Sequence, residues 1–254
     1  METPPARTRP LPDLRFRVLV AGRANAGKTS ILQRVCETTE SPEIRRVGVV
    51  DYQEVWEKID NLDPTPERGK HDISDELTFT NHTGYVFHDS GGFECGGKKE
   101  LEVVQDFIRE RSRRRNLRDR VHAIWYCIPM DSERPMFDID PLHEICPDKN
   151  VPVIPVFTKY DAFKLEVRWR LEDDGNLRGD EETQCEAVFK EQYLNRLRGV
   201  SKFVRLEGMD EHGACCNELI MTTMDALNNG TVTMMLLAAQ RGNLELNVGR
   251  AVRR

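Results

Sequence analysis

The residues from Gly22 to Ser30 carry the strongest chemical signal in the chain, because they match the phosphate-binding pattern G-x-x-x-x-G-K-[ST] in full. Glycines let the backbone turn tightly, so that successive amides can point at one anion. We expect the Lys28 ammonium to bridge the outer phosphates as the catalytic residue, and the Thr29 hydroxyl to ligate magnesium. The residues expected to contact a nucleoside triphosphate here are Gly22, Arg23, Ala24, Asn25, Ala26, Gly27, Lys28, Thr29 and Ser30.

A second motif, Asp89-Ser90-Gly91-Gly92, follows an apolar stretch about sixty residues after Lys28. We expect Asp89 to hold the magnesium ion through a water molecule and the Gly92 amide to bind the outermost phosphate. The pattern D-x-x-G alone is typical of a plain turn. Its place at the end of a predicted strand, behind a complete phosphate loop, favours the functional interpretation.

The third motif, Thr158-Lys159-Tyr160-Asp161, follows another apolar strand and matches [NT]-K-x-D. The Asp161 carboxylate can accept hydrogen bonds from both the ring N–H and the exocyclic amino group of guanine. Adenine lacks that pair of donors and would leave the carboxylate unpaired. We expect the Lys159 stem to lie across the base and Thr158 to belong to the same site. Alone, the motif could be an acidic cap after a strand.

Apolar runs and periodic stretches place these motifs at the ends of strands. We expect a short amphipathic helix through Tyr52, Val55, Trp56 and Ile59, because these residues recur at helical spacing. Alternating strands and helices predict an α/β fold: three layers, with an open, mostly parallel six-stranded sheet and helices on both faces. The predicted strands are 15–21, 76–80, 85–88, 121–128, 151–158 and 201–206, and the main helices are 28–36, 101–108, 181–197, 214–227 and 234–252.

Composition and charge exclude several classes of protein. The net charge is −6, which argues against non-specific nucleic-acid binding by the whole surface. The seven cysteines form no C-x-x-C pair, so no zinc knuckle is indicated, and with no secretory signal or membrane-length apolar run we expect a cytoplasmic location. We expect residues 1–13 to be a disordered lead-in, residues 14–228 one domain and residues 229–254 a helical C-terminal extension.

In this order, the three motifs resemble those of the small G-protein superfamily across residues 14–228. The chain looks closest to the Era/TrmE-like or septin/dynamin-like branch and is similar to single-domain fungal G proteins. The resemblance implies a P-loop G domain that binds GTP or GDP with Mg²⁺ and acts as a nucleotide switch. In relatives with an asparagine at the place of Asn25, this residue helps to bind K⁺, which suggests K⁺ as a further cofactor.

The chain departs from the G-protein pattern at three places. Phe93 stands where Ras-like relatives carry the glutamine that orients the attacking water, so we expect slow hydrolysis, or hydrolysis only after dimerisation or with a partner. The switch residue that completes magnesium coordination has three candidates, Thr65, Ser74 and Thr78, of which we favour Ser74. The supporting segment that is often Ser-Ala in relatives is replaced by residues 206–209, Leu-Glu-Gly-Met.

Three functions remain open at the level of sequence: a slow GTPase switch, a GTP-binding scaffold or assembly module without hydrolysis, and an ATP-using P-loop enzyme. The third motif argues against ATP. A nucleotide-dependent homodimer or an effector protein is the expected partner. The segment Arg109–Arg120 contains seven arginines and could contact RNA or an anionic membrane, although a solvated helix face is the more ordinary interpretation.

Overall fold

The computed structural model describes residues 15–50, 53–59, 72–80, 82–91, 98–132, 138–173, 180–197, 200–211 and 213–252. The described residues do not include the lead-in expected at 1–13. They also do not include Thr65, Gly92 and Phe93, to which the sequence assigned roles.

Among the described residues, one sheet of eight strands forms the centre of the molecule, in the order β3-β2-β4-β5-β1-β6-β7-β8. Five neighbouring strands, from β5 through β1 to β8, run parallel, and the β3-β2-β4 end is antiparallel. The predicted open, mostly parallel sheet is confirmed, with eight strands where six were expected. The strands are β1 (Phe16–Gly22), β2 (Glu43–Val50), β3 (Gln53–Ile59), β4 (Glu76–Phe79), β5 (His82–Asp89), β6 (Ala123–Pro129), β7 (Val153–Thr158) and β8 (Val204–Arg205).

Strand β3 replaces the amphipathic helix expected through Tyr52, Val55, Trp56 and Ile59, and that prediction was wrong for residues 53–59. Tyr52 itself lies outside the described residues. Residues 53–59 instead pair antiparallel with β2 along its whole length. Valine, isoleucine and tryptophan favour strands, and β2 is itself rich in valine. Because β2 also pairs with β4, the hairpin extends an existing sheet, and this pairing outweighs a short helical spacing.

Helices cover both faces of the sheet, which confirms the three-layer architecture. On one face α1, α5 and α6 pack around the fully buried Trp125, whose indole N–H donates to Thr223 at 3.0 Å. On the other face α2, α3 and α4 pack around Phe157 and Phe189. The helices are α1 (Lys28–Val35), α2 (Lys98–Ser112), α3 (Tyr160–Asp173), α4 (Glu181–Gln192), α5 (Asn217–Ala226) and α6 (Gly230–Val252).

Helix α6 lies directly against the sheet. The Asn229 side chain accepts from the backbone N–H groups of Thr231 and Val232, and so caps the first turn. Gly84 of β5 allows a close approach, since a Cβ atom there would lie 2.6 Å from the Cα atom of Ala239. No helix among the described residues is long and apolar enough to cross a bilayer.

Candidate functional site

The glycine-rich loop connects β1 to α1 at the carboxyl edge of the parallel strands. Gly22 has a φ of 141°, and a Cβ atom there would lie 2.5 Å from the Cys127 carbonyl oxygen, so only glycine fits. Gly27 has a φ of 75° and precedes the first residue of α1. Because α1 starts at Lys28, its free N–H groups and positive dipole end point into the loop, which is the arrangement that binds phosphate.

The Lys28 side chain is held inside this loop. It is only 8% exposed, and its Nζ donates to the carbonyl oxygens of Gly22 and Arg23, both at 3.0 Å. The same Nζ lies 3.5 Å from Asp89 Oδ1 at the end of β5. The structure therefore brings together the lysine of the first motif and the aspartate of the second.

The oxygen donors beside Lys28 suit magnesium. Thr29 is exposed at the start of α1, and Asp89 is partly exposed and accepts from the Gly91 N–H at 3.2 Å. A hydroxyl and a carboxylate are hard oxygen ligands, and Mg²⁺ is commonly bound by one or two such groups together with substrate phosphates. No cluster of three or more His, Cys, Asp or Glu side chains suited to a metal occurs in the described parts of the chain, so this pair would rely on phosphate and water to complete the coordination.

The third motif is joined directly to the phosphate loop. The buried Thr158 hydroxyl, at the end of β7, donates to the Ala26 carbonyl oxygen at 3.0 Å. Lys159 follows in a left-handed conformation, with a φ of 57°. Asp161 lies exposed in the first turn of α3, and its Oδ1 accepts from the Gly208 N–H at 3.4 Å. The segment after β8 therefore meets Asp161, although it lacks the Ser-Ala pattern.

Three charged residues at this edge form contacts that the motifs did not reveal. Asp131 follows β6, and its Oδ2 accepts from Lys159 Nζ at 2.5 Å. Arg23 of the phosphate loop lies 3.8 Å from Asp131 and 3.7 Å from the buried Asp138. Burial raises the pKa of Asp138, while the Arg23 charge and a hydrogen bond with Ser132 oppose the shift. Asp131 could have been found from sequence, since it follows a predicted strand at the binding edge of the sheet.

The candidates for the switch residue differ in their surroundings. Thr78 is buried inside β4, where it is paired in register with Glu43 of β2. Ser74 lies in the turn before β4, and its backbone N–H donates to Asp72. The neighbouring Ile73 carbonyl lies 2.8 Å from Nδ1 of His88, the residue before Asp89. This contact ties the turn that contains Ser74 to the end of β5.

The arginine-rich segment is largely engaged within the domain. Arg109 pairs with Asp106 at 2.6 Å within α2, and Arg114, two residues after the end of α2, pairs with Glu110 of that helix at 2.5 Å. Arg111 is buried and stacks over the Phe107 ring. These contacts favour the solvated helix face over an RNA or membrane surface.

The structure thus places the glycine loop between the first strand and the first helix, with the candidate base-contacting and metal-binding residues at neighbouring strand ends, which is the arrangement expected from the three motifs. No family model and no curated protein matches the chain. Among solved structures, the chain is similar to a variant of Era from Aquifex aeolicus bound to GDP·AlF4⁻, at 14% identity and a TM-score of 0.43, over 84% of this chain and 57% of Era.

Two further structures are similar at comparable levels. Era in complex with MgGDPNP and nucleotides 1506–1542 of 16S ribosomal RNA has 14% identity and a TM-score of 0.40, over 85% of this chain and 57% of that one. A GTP-binding protein from the archaeon Sulfolobus solfataricus in complex with GDP has 12% identity and a TM-score of 0.38, over 87% and 53%. The chain thus spans little more than half the length of these proteins.

Proposed function

We propose that the chain binds GTP and GDP with magnesium and hydrolyses GTP slowly, as a nucleotide switch. The hydrogen bond from Thr158 to the Ala26 carbonyl carries the proposal, because it fastens the base-reading strand to the phosphate loop. A purine and its phosphates would then contact two parts of one rigid edge. The proposed contacts are the loop Gly22–Ser30 together with Gly92, Thr158, Lys159 and Asp161.

Positioning and charge neutralisation would supply the catalysis. Lys28 is already held beside the phosphate loop, where its ammonium would neutralise charge that develops on the outer phosphates. Magnesium, held by Thr29 and Asp89, would neutralise further charge on the same phosphates. Water attacks the terminal phosphorus, and the bond from that phosphorus to the bridging oxygen breaks, which leaves GDP and inorganic phosphate.

The identity of the base is tested by exchanging the donor and acceptor roles at Asp161. In an Asp161→Asn variant the amide N–H can donate to the C2 carbonyl of xanthine but no longer accepts twice from guanine. We expect affinity for GDP to fall by about 100-fold, since a hydrogen bond to a charged group contributes roughly 1.5–3 kcal/mol, and affinity for XDP to rise. Equal GDP affinity in both proteins would refute guanine recognition through Asp161, and ADP displacing GDP at equal concentration would revive the ATP-using enzyme.

Slow hydrolysis is proposed because Phe93 cannot orient a water molecule as a glutamine can. The alternative is a scaffold module that binds GTP without turning it over, which the same residue favours. Single-turnover measurement of bound GTP separates the two: slow release of phosphate supports the switch, whereas GTP that remains intact supports the scaffold. Fast hydrolysis by the monomer would contradict both.

Potassium is proposed as an additional cofactor. Asn25 lies exposed in the phosphate loop with a φ of 61°, a left-handed conformation that asparagine tolerates better than most residues. A carboxamide oxygen there could ligate a monovalent cation beside the phosphates. A GTPase rate that is the same in potassium and in sodium would exclude this role.

The partner proposed for this domain is a second copy of the chain, or an effector protein, bound in the GTP state. Sedimentation or scattering with GDP, and then with a non-hydrolysable GTP analogue, measures the difference in size.

Six cysteines among the described residues carry free thiols, which supports the proposed cytoplasmic location.

A further inference from the structure

Four charged side chains form a chain of contacts across the carboxyl edge of the sheet, which we call the edge cluster: Lys159, Asp131, Arg23 and Asp138. Lys159 Nζ donates to Asp131 Oδ2 at 2.5 Å. Asp131 Oδ1 lies 3.8 Å from Arg23 NH2, and Arg23 Nε lies 3.7 Å from Asp138 Oδ1. The cluster thus runs from the third motif, past the end of β6, to the phosphate loop.

The Lys159 side chain is held at both ends, by its backbone conformation and by Asp131. Its backbone is set by the left-handed conformation between the end of β7 and the start of α3, where the Tyr160 N–H donates to the Leu206 carbonyl. Its ammonium is set by Asp131. A free lysine side chain populates many rotamers, and that entropy is lost whenever a ligand must order the side chain.

We propose that Asp131 is a positioning residue for nucleotide binding, which holds the Lys159 stem extended as a preformed surface for one face of the base. This inference rests on the proposed function. Arg23 gives the same carboxylate a second partner on the phosphate loop, so that Asp131 couples the base-contacting lysine to the loop. Binding then orders less of the protein than it would with a mobile lysine.

A purely structural ion pair predicts a different result. Asp131 and Lys159 are both more than a third exposed, and exposed pairs contribute little to folding stability. Removing Asp131 would then leave nucleotide affinity unchanged. The positioning role instead predicts weaker binding with the fold intact, through faster dissociation of the nucleotide.

A double-mutant cycle on the full chain tests the proposal, with GDP dissociation constants and dissociation rates as the measurements. We expect Asp131→Ala to weaken GDP binding about tenfold. In the Lys159→Ala background we expect the same substitution to change the dissociation constant less than twofold, because Asp131 acts through that lysine. The matched control is Asp140→Ala, which removes an exposed acid from the same connection and should leave affinity unchanged.

A comparison of two nucleotides that differ in the base provides a second measurement. Packing on a lysine stem does not sense the exocyclic amino group, so Asp131→Ala should weaken binding of GDP and of inosine diphosphate by equal factors. A loss confined to GDP, or equal losses from Asp131→Ala with and without Lys159, would overturn the positioning role while GDP binding by the wild-type chain stands. Failure of the wild-type chain to bind GDP would overturn the proposed function and this inference together.

Discussion

Two residues of the candidate site adopt a backbone conformation that side chains disfavour. Asn25 and Lys159 have φ values of 61° and 57°, and Glu37 is the remaining non-glycine residue with a positive φ in the described segments. Sparsely populated conformations cost on the order of 1–3 kcal/mol each and persist where the surroundings impose them. Both site residues sit between a strand and a helix at the binding edge, where surrounding hydrogen bonds fix the backbone.

A neutral histidine beneath the first strand makes a prediction at the scale of one residue. His122 Nδ1 accepts from the Arg17 N–H at 2.8 Å, so its proton is on Nε2, which lies 2.8 Å from the Leu117 carbonyl oxygen. Burial lowers the pKa of His122 from 6.5 to about 4. The Leu117 carbonyl opposes this shift, whereas the charges of Arg17 and Arg120 add to it.

Acid should therefore destabilise the fold through His122. The unfolded chain takes up a proton below about pH 6.5 and the folded chain only near pH 4, so this contribution to stability is present above 6.5 and is lost as the pH falls. Between pH 7 and pH 5 we expect a loss of about 2 kcal/mol. Chemical denaturation at each pH measures the free energy of unfolding.

His122→Asn should flatten this dependence, because asparagine can still accept from the Arg17 N–H but does not titrate. His143→Asn is the control, since His143 is exposed. A His122→Asn protein that loses the same free energy of unfolding between pH 7 and pH 5 as the wild type would contradict the assignment.

At the scale of elements, the close contact between β5 and α6 can be probed by one substitution. Gly84→Ala would place a methyl group 2.6 Å from the Cα atom and 3.0 Å from the Cβ atom of Ala239. Overpacking of this kind typically costs about 1–3 kcal/mol, and we expect the free energy of unfolding to fall by that amount. Gly242→Ala in α6 is the matched control: its Cβ meets nothing within 4 Å, so helix propensity should make it neutral or stabilising. Equal stability of Gly84→Ala and wild type would show that α6 is free to move away.

Apolar runs made the parallel part of the sheet predictable. β1, β6 and β7 are nearly continuous apolar segments, as strands covered on both faces must be, and each was expected within two residues of its observed bounds. The motifs at their ends followed from the rule that ligands bind at the carboxyl edge. The class of fold and the location of the candidate site were therefore predictable from the sequence.

The remaining elements depend on contacts that no local pattern contains. β2 and β3 exist because they pair with each other and with β4. Helix α3 was not expected, because the exposed Leu165 and Trp169 blur the pattern set by its buried Phe163 and Val167. The position of Asp131 after a predicted strand was visible in the sequence, but its contact with Lys159, 28 positions away, was not. Such pairings become visible only in three dimensions.

At the scale of the whole molecule, the candidate site is attached to both hydrophobic cores. Residues of β1 and β6 alternate between the two cores, so that Val20 faces one and Ala21 the other just before the phosphate loop begins. Lys28 bonds to the end of β1, and Thr158 bonds from β7 to the loop. A ligand that binds this edge would therefore oppose the unfolding of the entire sheet.

Nucleotide and magnesium should then stabilise the fold in proportion to their binding. A ligand that binds only the folded state adds about 4 kcal/mol at a thousand times its dissociation constant, which for a domain of this size corresponds to a rise in Tm of roughly 10 °C. Thermal unfolding with GDP and Mg²⁺ measures the rise, and adding EDTA should remove part of it. Lys28→Ala should abolish the rise because it removes the ammonium that neutralises the phosphates. The same rise with ADP would contradict guanine recognition through Asp161. The same rise in Lys28→Ala would mean that the nucleotide does not bind at the phosphate loop.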